Sequence, residues 1–245
     1  MKIIGVIPAR YKSSRFPGKP LADICGKPMI WWVYQQAKKV NEFDEVYIAT
    51  DDTRIENVCR EYNMTVVMTN ENHATGTDRV SEVADKVSGD IFIIVQGDEP
   101  LIRPLDIQKL IQGILSHPEA DAVIPMLPIN TGADVISNTV GKLAVNECGE
   151  VIFISRSPIP YPKGMIGYDL YKHVGLYAYP RKTLKFYQNT RRGRLELIED
   201  NEMMRLIENH KIIQTVVIDN ESIAVDTEQD LKRVIEYMNT NNFNK

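Results

Sequence analysis

Short apolar runs alternate with amphipathic stretches along the first half of the chain. Residues 3–7 form a β-branched apolar run typical of a buried parallel strand, and apolar residues then recur at helical spacing over residues 28–40. The same order repeats, which predicts strands at residues 45–50, 65–69 and 90–96 and helices at residues 54–62, 77–87 and 105–115. Repeated β-then-α units predict an α/β fold with a doubly wound, mostly parallel sheet.

The pattern changes in the second half of the chain. Strands are predicted at residues 122–127, 143–145, 151–155, 173–179 and 212–218, helices at 195–209 and 228–238, loops at 130–138 and 157–167, and a frayed tail at 239–245. The two short strands on either side of Gly149 are typical of a hairpin, and Pro158, Pro160 and Pro162 exclude a helix in the loop that follows. We therefore predict one domain of residues 1–245 with an antiparallel excursion at roughly residues 138–180.

Composition excludes several classes of protein. The chain has 245 residues, of which 43% are hydrophobic and 25% charged, as in an ordinary folded protein. A net charge of -4 argues against nucleic-acid and membrane-surface partners, and no apolar run approaches the ~20 residues that span a bilayer. The three cysteines have neither metal-site nor disulfide spacing, so we expect reduced thiols in a cytoplasmic protein.

A basic loop follows the first strand. Residues 8–20 contain four cations, two hydroxyls and one glycine between a predicted strand and a predicted helix. Backbone amides and cations that converge in such a loop can hold a triphosphate. The loop lacks the spacing of a Walker loop and of a dinucleotide fingerprint. A solvated basic loop is the alternative interpretation.

Further polar residues are expected at the carboxyl ends of the strands, where ligands bind in parallel α/β sheets. Asp51 and Asp52 follow the second strand, and residues 97–100 follow the central one. Taken alone, Asp98 has the position of an ordinary turn residue. Asp226, however, ends a second apolar run, so the chain carries two such carboxylates.

Blocks of residues along nearly the whole chain resemble, in order, those of the 3-deoxy-manno-octulosonate (Kdo) cytidylyltransferases. The blocks are IPAR at 7–10, SSRFPGKPL at 13–21, GKPMI at 26–30, ATDD at 49–52, HATGTDR at 73–79, QGDEP at 96–100, SRSPIP at 155–160, KHVGLY at 172–177 and VDT at 225–227. The resemblance implies a nucleotidyltransferase that uses CTP and Mg²⁺ to activate an acidic sugar. It also implies a homodimer, with residues 143–167 as contact surface and residues 138–180 serving dimerisation and acceptor binding.

The resemblance also assigns roles to individual residues. It implies catalysis by Lys19, Arg15 and Asp98 and Mg²⁺ binding by Asp98 and Asp226, because carboxylates suit a hard cation. The implied nucleotide-binding residues are Ala9, Arg10, Ser14, Arg15, Lys19, Thr75, Arg79 and Gln96. The implied acceptor-binding residues are Arg156, Lys172, His173, Tyr177 and Glu202. Cations at these positions suit a triphosphate and a sugar carboxylate.

Alternatives remain for several of these residues and for the activity. Thr75 is also a helix N-cap candidate, and His173 is equally interpretable as a half-buried structural imidazole. Met203 stands where many family members have Gln, and a thioether cannot donate a hydrogen bond, so Kdo, an amino-substituted Kdo and other acidic sugars stay open. A non-catalytic nucleotide-binding relative and a metal-dependent glycosyltransferase are the other hypotheses. The latter is disfavoured because residues 96–100 lack an Asp-x-Asp pair.

Overall fold

The computed structural model describes residues 1–13, 15–164, 169–220, 222–241 and 243. The chain divides into two compact units, the first made of Met1–Gln108 and Ser222–Lys245 and the second of Lys109–Glu221. The strands are β1 (Ile3–Ala9), β2 (Asp23–Ile24), β3 (Lys27–Pro28), β4 (Glu45–Thr50), β5 (Val66–Met68), β6 (Ile91–Val95), β7 (Ala122–Pro128), β8 (Lys142–Val145), β9 (Val151–Ser155), β10 (Tyr171–His173), β11 (Leu176–Pro180) and β12 (Ile213–Val217).

The helices lie between these strands in the order that the sequence pattern predicts for the first half of the chain. They are α1 (Met29–Lys38), α2 (Thr53–Glu61), α3 (Gly76–Lys86), α4 (Pro104–Ser116), α5 (Gly132–Ile136), α6 (Arg181–Asn189), α7 (Arg194–Glu199), α8 (Met203–Glu208) and α9 (Glu228–Thr240). A short 3₁₀ helix covers Lys19–Leu21. In the described part of the chain, no helix combines the length and apolarity that a bilayer span requires.

The first unit is built on parallel strands in the order β5, β4, β1, β6. β6 is buried along its whole length, and β1 almost so, because their β-branched residues are covered on both faces. The C-terminal helix α9 contributes Val234 and Met238 to the same hydrophobic cluster as Met29 and Trp32 of α1. The α/β fold with parallel central strands is confirmed.

The second unit is mostly antiparallel. Its strand β7 pairs antiparallel with β10 and β11 and parallel with β12. β8 pairs antiparallel with β10 and with β9, which gives the predicted hairpin around Gly149. The assignment of residues 138–180 to dimerisation and acceptor binding stays a prediction.

Several predicted boundaries in the second unit are wrong. The strand predicted at residues 173–179 is two strands, β10 and β11, and the helix predicted at 195–209 is two helices, α7 and α8. Asp200 breaks that helix because its backbone is left-handed, with φ of 49°. The side chain of Asn201 then accepts a hydrogen bond from the Met203 amide at 3.0 Å, which forms a tight turn directly before α8. The Asp-Asn pair is the sequence signal for this break.

Two helices appear where the sequence pattern predicted none. α5 occupies the loop predicted at residues 130–138 and is capped by Thr131, whose hydroxyl accepts from the Asp134 amide at 3.1 Å. α6 directly follows Pro180 at the end of β11. In the first unit, β1 runs to Ala9, so two residues assigned to the basic loop belong to a strand.

Candidate active site

The basic loop is closed by a backbone hydrogen bond. The Gly18 amide donates to the Tyr11 carbonyl oxygen at 2.8 Å. Gly18 has φ of 73°, and a Cβ on it would lie 3.1 Å from the Tyr11 ring, so glycine is required there. The Arg54 guanidinium lies over the Tyr11 ring, with its carbon 3.3 Å from the ring centroid, and so helps to hold this tyrosine in place. Lys19 follows the closed loop as the first residue of the 3₁₀ helix.

Lys19 lies between two carboxylates. Its Nζ atom is 2.7 Å from Asp98 Oδ2 and 3.3 Å from Asp226 Oδ1. Arg15 Nη2 is 3.0 Å from the same Asp226 oxygen. The side chain of Lys19 is 13% exposed, against 30% for Asp98 and 43% for Asp226, so the cation is shielded while the carboxylates keep an open face. All four residues belong to the first unit.

The backbone around Asp98 explains this convergence. Asp98 follows β6 through Gly97, where a Cβ would lie 2.7 Å from the Pro8 carbonyl oxygen, so only glycine lets the two strand ends approach. The Val225 amide donates to the Asp98 carbonyl oxygen at 2.8 Å, which ties the segment before α9 to this turn. Asp226 therefore lies close to Asp98 because its neighbour Val225 is hydrogen-bonded to the Asp98 main chain.

The carboxylate pair is chemically suited to a hard cation. Carboxylate oxygens are the protein ligands that Mg²⁺ favours, and Mg²⁺ sites commonly use one or two of them together with substrate phosphates and water. Lys19 already places a positive charge between Asp98 and Asp226. Among the described residues no three His, Cys, Asp or Glu side chains form a metal-binding group, so phosphate oxygens would have to supply further ligands.

Arg79, one of the nucleotide-binding residues that the resemblance implies, is buried in the first unit. Its Nη2 atom is 2.9 Å from Asp51 Oδ1, and Nη1 donates to Thr69 Oγ1 at 2.6 Å. Burial lowers the pKa of Arg79, and the charge of Arg10 adds to this, while Asp51 opposes it. Asp51 follows β4 directly, as the sequence pattern predicts, but the resemblance assigns it no role.

The other predicted nucleotide residues are distributed around these groups. Thr75 is the N-cap of α3, with a capping box to Asp78, so the capping interpretation is confirmed and its role toward the base stays a prediction. Ala9 is buried, Arg10 is exposed, and Gln96 is half-buried directly after β6. Ser14 lies outside the described residues.

A cavity of about 170 Å³ lies within the second unit. It is lined by Thr139, Val140, Gly141, Ile154, Ser155, Arg156, Lys172, His173, Glu199 and Asn201. Three of the predicted acceptor residues are therefore brought together here. Tyr177 and Glu202 do not line this cavity: the Tyr177 ring stacks beside His173 at 5.5 Å, and the Glu202 carbonyl oxygen accepts from the Tyr187 hydroxyl.

Met203 also lies away from the cavity. It is fully buried at the start of α8, where its sulfur accepts a hydrogen bond from the Tyr179 hydroxyl at 3.6 Å. Glu199 and Asn201 are among the cavity residues that the sequence pattern does not predict, because they lie on either side of the break at Asp200, where the pattern predicts continuous helix.

His173 is neutral at pH 7. Its Nδ1 atom is 3.5 Å from Asn201 Nδ2, and its Nε2 atom is buried without a hydrogen-bond partner in the described part of the chain. Burial, reinforced by the charge of Arg156, lowers the pKa of His173 to about 4. The unfolded chain takes up a proton at this residue near pH 6.5, whereas the folded chain does not.

The free energy of unfolding should therefore decrease as pH falls from 6.5 toward 4. In the wild-type protein the free energy of unfolding should fall by roughly 3 kcal/mol over this window, since one pKa unit corresponds to about 1.4 kcal/mol. The His173→Gln variant should lack this fall. Urea unfolding at a series of pH values measures the difference between wild type and variant. His117→Gln, at a partly exposed histidine, is the control. Parallel pH profiles for wild type and His173→Gln would contradict the prediction.

Comparison with known proteins assigns the chain to a family. A family model described as cytidylyltransferase matches residues 4–213. A 3-deoxy-manno-octulosonate cytidylyltransferase of Escherichia coli is 42% identical over 233 residues, which cover 95% of this chain and 94% of that protein. The chain belongs to the 3-deoxy-manno-octulosonate cytidylyltransferase family. The resemblance drawn from the sequence blocks is thus confirmed.

Other members of the family match over a similar length. The enzyme of the same name from Parabacteroides distasonis is 39% identical over 250 residues, covering 97% of this chain and 98% of the relative. A solved CMP:2-keto-3-deoxy-manno-octonic acid synthetase complexed with CTP superposes with a TM-score of 0.94 at 40% identity, covering 98% of this chain and all of that one. The family therefore includes a CTP-bound structure of this fold, while the roles of individual site residues stay predictions.

Proposed function

We propose that the protein transfers CMP from CTP to the anomeric hydroxyl of Kdo and releases pyrophosphate. The observation that carries this proposal is the meeting of Lys19 with Asp98 and Asp226, which brings a shielded cation and two carboxylates from three separate segments to one point. Family membership supports the proposal, since the relatives bear the name of this activity and the solved neighbour is complexed with CTP.

In the proposed reaction the anomeric oxygen forms a bond to the α-phosphorus. The bond between that phosphorus and the bridging oxygen of the β-phosphate breaks, pyrophosphate leaves, and the hydroxyl proton is lost to solvent. Negative charge grows on the phosphoryl oxygens and on the leaving group, so fixed cations lower the barrier. Lys19, Arg15 and Arg10 are the cations of this chain that would neutralise it.

Asp98 and Asp226 would hold Mg²⁺ in the presence of CTP. The ion supplies Lewis-acid polarisation of phosphate oxygens when bound. The two carboxylates are the chain's contribution, since their open faces accept a cation while the triphosphate completes its ligands.

The cavity of the second unit supports an acidic acceptor. Arg156 and Lys172 both line it, and cations that can donate several hydrogen bonds are suited to a carboxylate. We assign the sugar carboxylate to these two side chains. The interior position of Met203 means that the Gln-to-Met departure falls outside the cavity lining, so it does not favour an amino-substituted sugar.

The biological setting is part of the same proposal. An activated Kdo would serve lipopolysaccharide or capsule synthesis, and we place the enzyme in the cytoplasm because CTP is available there. A homodimer through residues 143–167 is supported by Ile152, which is 59% exposed on strand β9 at the end of its sheet. Sedimentation at several protein concentrations tests the dimer.

Pyrophosphate release tests the activity. Purified protein with CTP, Mg²⁺ and Kdo should release pyrophosphate in proportion to Kdo, and kcat/KM should be highest for Kdo in a panel that includes amino-substituted Kdo. Omission of the acceptor is the control. A folded protein that releases no pyrophosphate with any acid of the panel would reject the proposal, and tight CTP binding without turnover would indicate a non-catalytic relative.

A further inference from the structure

Among the described residues, the groups that accept hydrogen bonds from the Arg156 guanidinium are all main-chain oxygens. Its Nε atom donates to the Glu199 carbonyl oxygen at 3.1 Å, and its Nη1 atom donates to the carbonyl oxygens of Asn138 and Thr139 at 3.2 Å each. Within the described residues, Nη2 has no hydrogen-bond partner and no carboxylate lies within ion-pair distance. Carbonyl groups carry no net charge, so the guanidinium is oriented while its positive charge stays available to an anion.

Glu199 holds Arg156 at both ends. Besides its carbonyl contact to Nε, its carboxylate oxygen Oε2 accepts from the Arg156 backbone amide at 3.0 Å. The other oxygen, Oε1, accepts from the Ser155 hydroxyl at 2.7 Å. The carboxylate thus accepts from the Ser155 hydroxyl at the end of β9 and from the Arg156 amide directly after it, and it makes no described contact with the guanidinium.

The position of Glu199 is itself rigidly supported. It is the last residue of α7, directly before the left-handed Asp200. α7 is locked to α8 by a buried pair in which Arg205 Nε and Nη2 donate to the two carboxylate oxygens of Glu196 at 2.7 and 2.8 Å. Because this pair is buried and bidentate, the end of α7 has little freedom to shift.

Lys142 supports the same arrangement through hydrogen bonds of its own. It is fully buried, and its Nζ atom donates to the Arg156 carbonyl oxygen at 2.6 Å and to the Val140 carbonyl oxygen at 2.9 Å. It also donates to the Ser137 carbonyl oxygen. The segment that offers carbonyls to Arg156 Nη1 is therefore fixed to the Arg156 backbone.

We propose that Glu199 is a positioning residue that presets Arg156, so that its unpaired Nη2 edge meets the carboxylate of the acceptor. The inference rests on the acceptor role of Arg156 in the proposed function. A guanidinium that is already oriented loses less rotamer freedom when the anion binds at Nη2. Glu199 acts through Arg156 and does not contact the acceptor in this role.

The Glu199→Gln variant should change the KM for Kdo much more than the KM for CTP. The amide can accept at one oxygen only and turns a donor toward the Ser155 hydroxyl or the Arg156 amide. We expect the KM for Kdo to rise about tenfold, with the KM for CTP and kcat within about twofold of wild type. Ser155→Ala, which removes one hydrogen bond, should give a smaller rise. Glu61→Gln, an exposed residue at the end of α2, should change nothing.

A double-mutant cycle distinguishes positioning from other roles. Arg156→Ala alone should raise the KM for Kdo about 100-fold, and adding Glu199→Gln to it should cause no further rise, because the residue that Glu199 positions is gone. An equal rise in both backgrounds would overturn the inference, as would a rise in both KM values together with a lower Tm. Should Glu199→Gln fail to fold, Ser155→Ala takes its place in the cycle.

The same cycle separates the inference from the proposed function. An Arg156→Ala enzyme with an unchanged KM for Kdo would reject the acceptor role of Arg156 and the inference with it. A raised KM for Arg156→Ala, together with a wild-type KM for Glu199→Gln, would reject the positioning role alone. Absence of pyrophosphate release by the wild-type protein with Kdo would reject the activity itself.

Discussion

Replacing Lys19 with methionine should lower kcat for pyrophosphate release by about 10³-fold, because a single fixed group that stabilises transition-state charge is typically worth 10²–10³ in kcat. The Lys19 side chain is less exposed than that of Arg15, so its charge is screened less by water. Methionine retains the length and apolar volume of the lysine stem, so the loop should keep its fold. The KM for CTP should change by less than tenfold.

Lys12→Met is the matched control, since it makes the same chemical change in the same loop. Lys12 is 83% exposed and its only described partner is Glu71 at 3.4 Å. Steady-state kinetics and a melting curve should be measured for both variants. A Lys19→Met enzyme that is folded and retains a tenth or more of the wild-type kcat would contradict the assignment of Lys19 to the transition state.

Replacing Asp226 with asparagine should lower kcat about 10³-fold at low Mg²⁺ and raise the Mg²⁺ concentration that gives half-maximal activity. An amide keeps the shape of the side chain but loses the charge that attracts a hard cation. The variant also loses the ion pairs from Arg15 and Lys19 to Asp226 Oδ1, so both cations lose a partner. A Mg²⁺ titration of the rate measures the effect, and the binding of Mn²⁺ in the presence of CTP gives a readout independent of turnover.

Glu228→Gln is the control for this variant. Glu228 is an exposed carboxylate in the first turn of α9, two residues beyond Asp226, so the two changes alter the net charge of the same segment equally. An Asp226→Asn enzyme with the wild-type Mg²⁺ dependence would exclude Asp226 as a metal ligand. An equal effect of Glu228→Gln would show that only the overall charge of the segment matters.

The first unit was the better predicted part of the chain. Its strands are short, β-branched and apolar, and its helices show clear helical spacing, so local pattern identified β1, β4, β5 and β6 within a few residues. In the second unit, tertiary contacts override local pattern. A helix with unbroken periodicity was predicted through Asp200, where the turn of Asp200 and Asn201 in fact divides it.

In the candidate site, too, some residues are predictable from the sequence and others are recognised only in the folded structure. Lys19, Asp98 and Asp226 were singled out by their residue types and by the family resemblance, and the structure brings them together. Nothing local marks the contacts between Arg156 and Glu199, because these residues are 43 positions apart and meet only through the pairing of β9 with its neighbours and the packing of α7. The burial of Met203 was equally invisible, since a methionine can line a cavity or fill a core.

The α/β class, the strand–helix order of the first unit, the basic loop and the family follow from the amino-acid sequence alone. Periodicity and motif residues are properties of neighbouring positions, so they do not depend on tertiary contacts. The position of Lys19 between Asp98 and Asp226, which is 207 residues away, and the contact of Glu199 with Arg156 are established by the folded structure. Those distances depend on how distant elements pack, and packing is set by the whole chain.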